Sequence, residues 1–100
     1  MPTYFAVRRR SGPAWDPARG LRSQDLWPEH AACMDAFVAA GLIVLGGPIG
    51  ASAEALLVFD APSEAAFRVH LDEDPWTASG HLEIVGIEPW TILLDGRNRP

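Results

Sequence analysis

Proton transfer near neutral pH calls for a group that titrates there, and this chain offers three: His30, His70 and His81. His30 falls near the start of a helical stretch, on the side that carries Met34, Phe37 and Val38. A neutral imidazole in that place can accept a proton. A core-facing histidine is also a common structural residue, so spacing alone leaves both readings open. His70 reads as structural or partly exposed, and His81 as a surface residue. Among the carboxylates, Asp74 has the most constrained setting, because it follows a helix and precedes Pro75 and Trp76. That setting can aim a carboxylate at a histidine or perturb its titration by desolvation. It also suits an aspartate that merely forms a turn.

Three further groups have types suited to chemistry. Cys33 is the only cysteine, close to His30, and acts as a nucleophile only if its thiol is made acidic. A small buried thiol is the ordinary alternative. The run Arg8-Arg9-Arg10 ends a strand, where alternation turns only some of the three the same way. Solvated strand-end charges are one reading, and an arginine facing an anionic ligand is the other. Gly46-Gly47-Pro48 either makes a corner or lets backbone approach a ligand closely. No GxSxG, HExxH, CxxC or phosphate-cradling loop occurs, and the histidines are too dispersed to argue a metal site.

These residues must be held by elements. Thr3 to Arg10 reads as a strand, rich in strand formers and ended by Ser11-Gly12-Pro13. Residues 11–26 form a long connection bracketed by Trp15 and Trp27, rings large enough to pin it to the body. A helix begins at Pro28, with Ser23 or Asp25 as cap, and stops at Gly41. An apolar strand, Leu42 to Leu45, leads into the Gly46-Gly47-Pro48 corner and a hairpin connection, and Ala55 to Phe59 pairs with it. Ser63 caps a second helix, Glu64 to about Leu71, which Asp72 to Trp76 terminates. Leu82 to Leu94 is the last strand, with Pro89 marking a bulge or an edge.

The order is βαββαβ, the split βαβ arrangement: an α+β, ferredoxin-like fold with two helices on one face of a four-stranded antiparallel sheet. Strict alternation gives both sheet faces apolar residues. Leu82, Ile84, Trp90 and Ile92 share one parity of the last strand, and Val85, Ile87 and Leu93 share the other. The simplest cover for the second face is a second copy of the chain, so a homodimer joined sheet to sheet is expected.

Composition narrows the partners. The 100 residues are expected to form a single domain, 1–100. The net charge is −5, there is no lysine, and all eight basic residues are arginine. Such a chain makes a poor candidate for nucleic acid, since neutralising phosphates supplies most non-specific affinity. No apolar run approaches the roughly 20 residues that span a bilayer. The opening MPTYFAVRRR lacks a signal peptide's basic-then-apolar order. A soluble, cytoplasmic protein is expected, with no membrane partner.

Taken together, His30, Gly41, Gly46-Gly47-Pro48, Asp74-Pro75-Trp76 and Glu88-Pro89-Trp90 resemble the pattern of the YCII-related (YciI-like) family, from the first strand through about Leu94. The resemblance implies a ferredoxin-like fold that dimerises through its sheets into a dimeric α/β barrel. It implies a His–Asp pair in a pocket, here His30 and Asp74, and no cofactor or metal. Dehydrochlorination of a chlorinated hydroxyhydroquinone is the most concrete chemistry attached to the family, which also resembles muconolactone isomerases in fold. The long segment with its tryptophans departs from shorter members and can reshape the pocket. Arg22 within it resembles an arginine that precedes the family's histidine.

The reading that results is a small cofactor-independent lyase or isomerase acting on a small cyclic or aromatic substrate. His30 shuttles the proton and Asp74 orients the ring. Gly47, Pro48 and Trp76 line the pocket, and Arg22 stabilises a developing oxyanion. The rival readings are a non-catalytic small-ligand-binding or accessory dimer, and a purely structural dimer.

Overall fold

The computed structural model describes residues 3–50 and 54–97. Its strands are β1 (Tyr4–Ser11), β2 (Ile43–Ile49), β3 (Glu54–Asp60) and β4 (Leu82–Trp90). Its helices are α1 (Trp27–Ala39), α2 (Glu64–Glu73) and a short α3 (Pro75–Ser79), with a 3-10 turn at Leu21–Ser23. The sheet order is β2-β3-β1-β4, and each neighbouring pair is antiparallel. This is the ferredoxin-like α+β arrangement, with α3 inserted before the last strand. None of the described helices is long and apolar enough to cross a membrane.

Cross-strand partners point to the same face of a sheet, so the register assigns the faces. Phe5 pairs with Phe59, which pairs with Ile43; Val7 pairs with Leu57 and Ile87. These residues meet Phe37 of α1 and Phe67 and Leu71 of α2 in one apolar cluster. Phe67 stacks on Phe59 at 4.8 Å and tilts against Phe5 at 5.1 Å. Aromatic pairs of this kind add roughly 0.5–1.5 kcal/mol each beyond simple burial.

Four details differ from the sequence expectation. First, α1 is capped by neither Ser23 nor Asp25. Its N-cap is Leu26, in the left-handed region at φ 66°, whose carbonyl accepts from His30 N at 2.9 Å. Pro28 does sit in the first turn, and Gly41 at φ 77° does end the helix. Second, Gly46-Gly47-Pro48 lies inside β2, not at a corner. As an edge strand, β2 tolerates the proline's missing N–H, and a side chain at Gly46 would meet Leu57 Cδ2 at 2.6 Å. The turn falls at Gly50, while residues 51–53 of the connection lie outside the described residues. Third, Asp72 to Trp76 does end α2, but Pro75 then starts α3.

Fourth, β4 stops at Trp90, and strict alternation fails in two strands. The register slips between Ile43 and Leu45, and again where Arg8 pairs with Gly86 and Arg9 with Ile84. The second slip leaves Val85 as an extra residue, so the bulge lies there and not at Pro89. Pro89 sits on an edge strand, opposite Phe5. The two slips bring Ile84 and Ile87 onto the helix side together and turn Leu45 and Trp90 away from it. Leu45 and Trp90 are exposed, as are Leu93 and Leu94 beyond the strand end.

Candidate functional site

The site is assembled at the end of the helix layer where α1 begins. Arg9 shares the parity of Phe5 and Val7 on β1, so its side chain enters the helix layer and not solvent. It is 3% exposed. Its Nη1 donates to Asp74 Oδ2 at 2.8 Å, and its Nη2 donates to the Met34 sulfur at 3.7 Å.

Asp74 is completely buried. It closes α2 and opens α3, accepting from Trp76 N through Oδ1 at 3.0 Å. Pro75 in the first turn of α3 fixes the backbone that aims this carboxylate. His30 Nδ1 reaches the same group, at 2.8 Å from Oδ1 and 3.0 Å from Oδ2. Burial alone would raise the Asp74 carboxyl. Hydrogen bonds from His30, Arg9 and Trp76 N outweigh it and hold the group below its ordinary value.

A carboxylate can only accept, so His30 donates from Nδ1 and the neutral ring carries its lone pair on Nε2. Nε2 has no hydrogen-bond partner among the described residues and lies on the ring edge turned away from Asp74. Trp76 stacks on the imidazole at 3.9 Å and 10°, which holds the ring plane. His30 is 7% exposed and lines a cleft of about 480 Å³, a size usual for small-ligand sites. Arg9, Trp15, Leu21, Trp27, Met34, Ile43, Gly47, Pro48 and Trp76 are among the walls.

The long segment before α1 builds one wall. Trp15 meets Trp76 edge-on at 5.4 Å, and Trp27 meets it at 5.8 Å. The Trp76 indole N–H donates to the Asp25 carbonyl at 2.7 Å. The segment's own organiser is Gln24, which is buried. Its amide accepts from Asp16 N at 2.9 Å and donates to the carbonyls of Asp16, at 2.7 Å, and Arg19, at 2.9 Å. Gly12 N and Ala14 N bind the carbonyls of His81 and Gly80, which ties the other end to the start of β4.

The fold therefore brings His30, Trp76, Gly47 and Pro48 together around one space, with Asp74 buried behind His30 and bonded to it. Arg22 is not among the cleft walls; its guanidinium lies 6.0 Å over the Trp27 ring. His81 corrects the surface reading. It is buried, its Nδ1 is 2.7 Å from Ser79 Oγ, and its ring stacks on Trp76 at 5.5 Å. Burial first, and then the Asp74 and Glu73 charges, push the Cys33 thiol up, the opposite of the acidic thiol a nucleophile needs. His70 is half-exposed beside Glu73, as expected. The sequence left open whether one of Arg8, Arg9 and Arg10 turns inward, and it did not mark Gln24. The parity of Arg9 with Phe5 and Val7 was the available signal, whereas nothing local marks Gln24. Among the described residues, no three His, Cys, Asp or Glu side chains gather where they could hold a metal ion.

The fold and cleft define the class, a ferredoxin-like α+β protein in which a histidine on the wall of a helix-side pocket is bonded to a buried carboxylate. No protein-family model matches this chain, and no curated protein sequence matches it. Among solved structures it is similar to 5-chloro-2-hydroxyhydroquinone dehydrochlorinase (TftG) from Burkholderia phenoliruptrix AC1100, in complex with 2,5-dihydroxybenzoquinone. The TM-score is 0.66 and the identity 23%, over 88% of this chain and 93% of that one. At that identity the likeness shows a shared fold.

Proposed function

We propose that this protein is a small cofactor-independent enzyme of the YCII-related kind, a lyase or isomerase that moves a proton on a small cyclic or aromatic substrate. One observation carries the reading. His30 Nδ1 is bound at 2.8 Å to a fully buried carboxylate, which leaves Nε2 as a base on the wall of a largely apolar cleft. Nε2 takes the proton. Asp74 fixes the tautomer and balances the imidazolium that forms, as a carboxylate partner does for a catalytic imidazole. Gly47, Pro48 and Trp76 bound the substrate, and Arg22 contributes through the Trp27 ring it covers. Loss of HCl, the reaction in the similar protein's name, is one instance: the base takes a proton, the freed pair forms the new double bond, and chloride leaves with the C–Cl pair.

General acid–base help is worth about 10²–10⁴ in rate, so His30→Ala should lose turnover of a cyclic substrate by that factor while keeping the fold. Screening oxygenated ring compounds against wild type and His30→Ala tests this, and equal turnover in both sinks it. The rival is a non-catalytic binding module, favoured by one fact: Arg9 already satisfies Asp74, so the cluster has a structural use without chemistry. Saturable binding with no turnover of any ring compound selects that rival.

The proposal includes a homodimer. Leu45 and Trp90 stay exposed on the sheet face away from the helices, and that face needs a cover. A second copy is the cover supplied by the family resemblance. A monomer in sedimentation at micromolar concentration refutes it.

A further inference from the structure

One wall of the cleft is built apart from the rest. Residues 17–23 are all exposed, yet they curl around a buried side chain, Gln24. Among the described residues, every hydrogen bond made by residues 16–24 ends on residues 16–27. The Gln24 amide fills the interior, and the Arg19 guanidinium reaches Asp25 at 3.1 Å. The two ends of this piece rest on a single side chain of the body. Trp15 meets Trp76 edge-on, and the Asp25 carbonyl accepts from the Trp76 indole N–H at 2.7 Å. Just beyond, Leu26 holds φ 66°, a conformation that a bulky side chain rarely adopts and that gathers at switching segments. From the middle of the piece, Leu21 lines the cleft while still 43% exposed.

We propose that residues 16–24 form a cap that swings as one piece to admit a ligand to the His30 cleft and then closes Leu21 onto it, with the Gln24 amide as the strut that keeps the cap whole. Both ends meet at Trp76, so the piece is a flap with its hinge line there. Opening is cheap, because the hydrogen bonds within the flap travel with it and its ends keep their hold on the indole. Leu26, one residue past the hinge, absorbs the change in backbone angle. A ligand favours closing, since Leu21 then buries apolar surface that it now exposes. Trp76 is also the ring that stacks on His30, so the hinge and the histidine share one support. Such a cap serves a binding cleft and a catalytic one alike, and its test needs no substrate.

The three histidines make the measurement. Diethyl pyrocarbonate acylates accessible neutral imidazoles, and mass spectrometry follows each residue separately. His70 is exposed and gives the reference rate; His30 lies in the cleft; His81 is buried outside its walls and reports loosening of the whole fold. In wild type at neutral pH, His30 should react far more slowly than His70. In Gln24→Glu, the amide N–H that serves the carbonyls of Asp16 and Arg19 becomes an acceptor, so the strut repels where it held. His30 should then react about tenfold faster, the factor expected from losing one or two buried hydrogen bonds, with His81 unchanged. A wild-type His30 as fast as His70, a His30 indifferent to the substitution, or His30 and His81 rising together each overturns the cap. If Gln24→Glu does not fold, wild type in urea below its unfolding midpoint decides. His30 should speed up with a shallower urea dependence than His81, because swinging a flap exposes less surface than unfolding. A His30 rate that ignores urea, or one with the slope of His81, overturns the cap equally.

Discussion

Arg9 and Arg10 stand side by side on β1, and each makes an ion pair 2.8 Å long, to Asp74 and to Glu83. The first pair is 3% and 0% exposed, the second 61% and 44%. Pleating sends one arginine among the helices and the other toward water, so the same bond carries different consequences. The exposed pair competes with solvent and salt and is worth about 0–1 kcal/mol. The buried pair has been taken out of water at large cost, and each partner depends on the other to remain there. It also carries a third group, His30, and through it the candidate chemistry. An ion pair of this sort holds geometry more than it adds stability.

Breaking the inner pair should have the largest effect. Arg9→Met leaves Asp74 buried with only His30 and the Trp76 N–H, and should lower unfolding free energy by about 3–5 kcal/mol in urea titration. Replacing both partners, as Arg9→Met with Asp74→Leu, should recover much of that stability while abolishing any activity that runs through His30. A double variant no more stable than Arg9→Met alone would show that the cluster supports the fold in some further way.

Acid should have the next largest effect. Asp74 is held below its ordinary value by its three donors, so its contribution is complete above about pH 4, near the unfolded aspartate value. It drains away as pH falls through the lower folded value. Unfolding free energy in wild type should therefore decline below that point, and the Asp74→Leu double variant should lack this component. Parallel acid curves for the two proteins would contradict the assignment.

The smallest effect is expected from the outer pair. Arg10→Ala should cost less than about 1 kcal/mol and lose even that in high salt. A cost comparable to Arg9→Met would erase the contrast between the two sides of the strand.

Much of the architecture could be read from the sequence because it rests on local signals. Gly41 ends α1, Ser63 caps α2 through Ala66 N, and the runs of strand formers mark β1 and β3. His30 and Asp74 could be singled out because a titratable ring on a core stripe and an aspartate before proline are locally odd. What escaped depends on partners far along the chain. Arg9 looked like one more member of a charged run because alternation gives relative directions, and only the apolar neighbours Phe5 and Val7 say which direction is inward. Alternation also failed outright at the two register slips, which no residue type announces. His81 precedes a strand, where exposure is the usual fate, and is buried with Trp76 of α3 stacked against it. Gly46-Gly47-Pro48 carries turn residues, yet an edge position accepts them as strand.

Three of the four tryptophans crowd the cleft, and Trp76 also lies flat against two imidazoles. Indoles this close and this tilted couple their electronic transitions, so circular dichroism should carry an exciton signature belonging to the cleft alone. Imidazolium quenches a neighbouring indole, so the fluorescence of Trp76 should dim as its stacked histidines take up protons. The molecule thus contains its own optical probe, able to register occupancy and protonation at the site before any substrate is known.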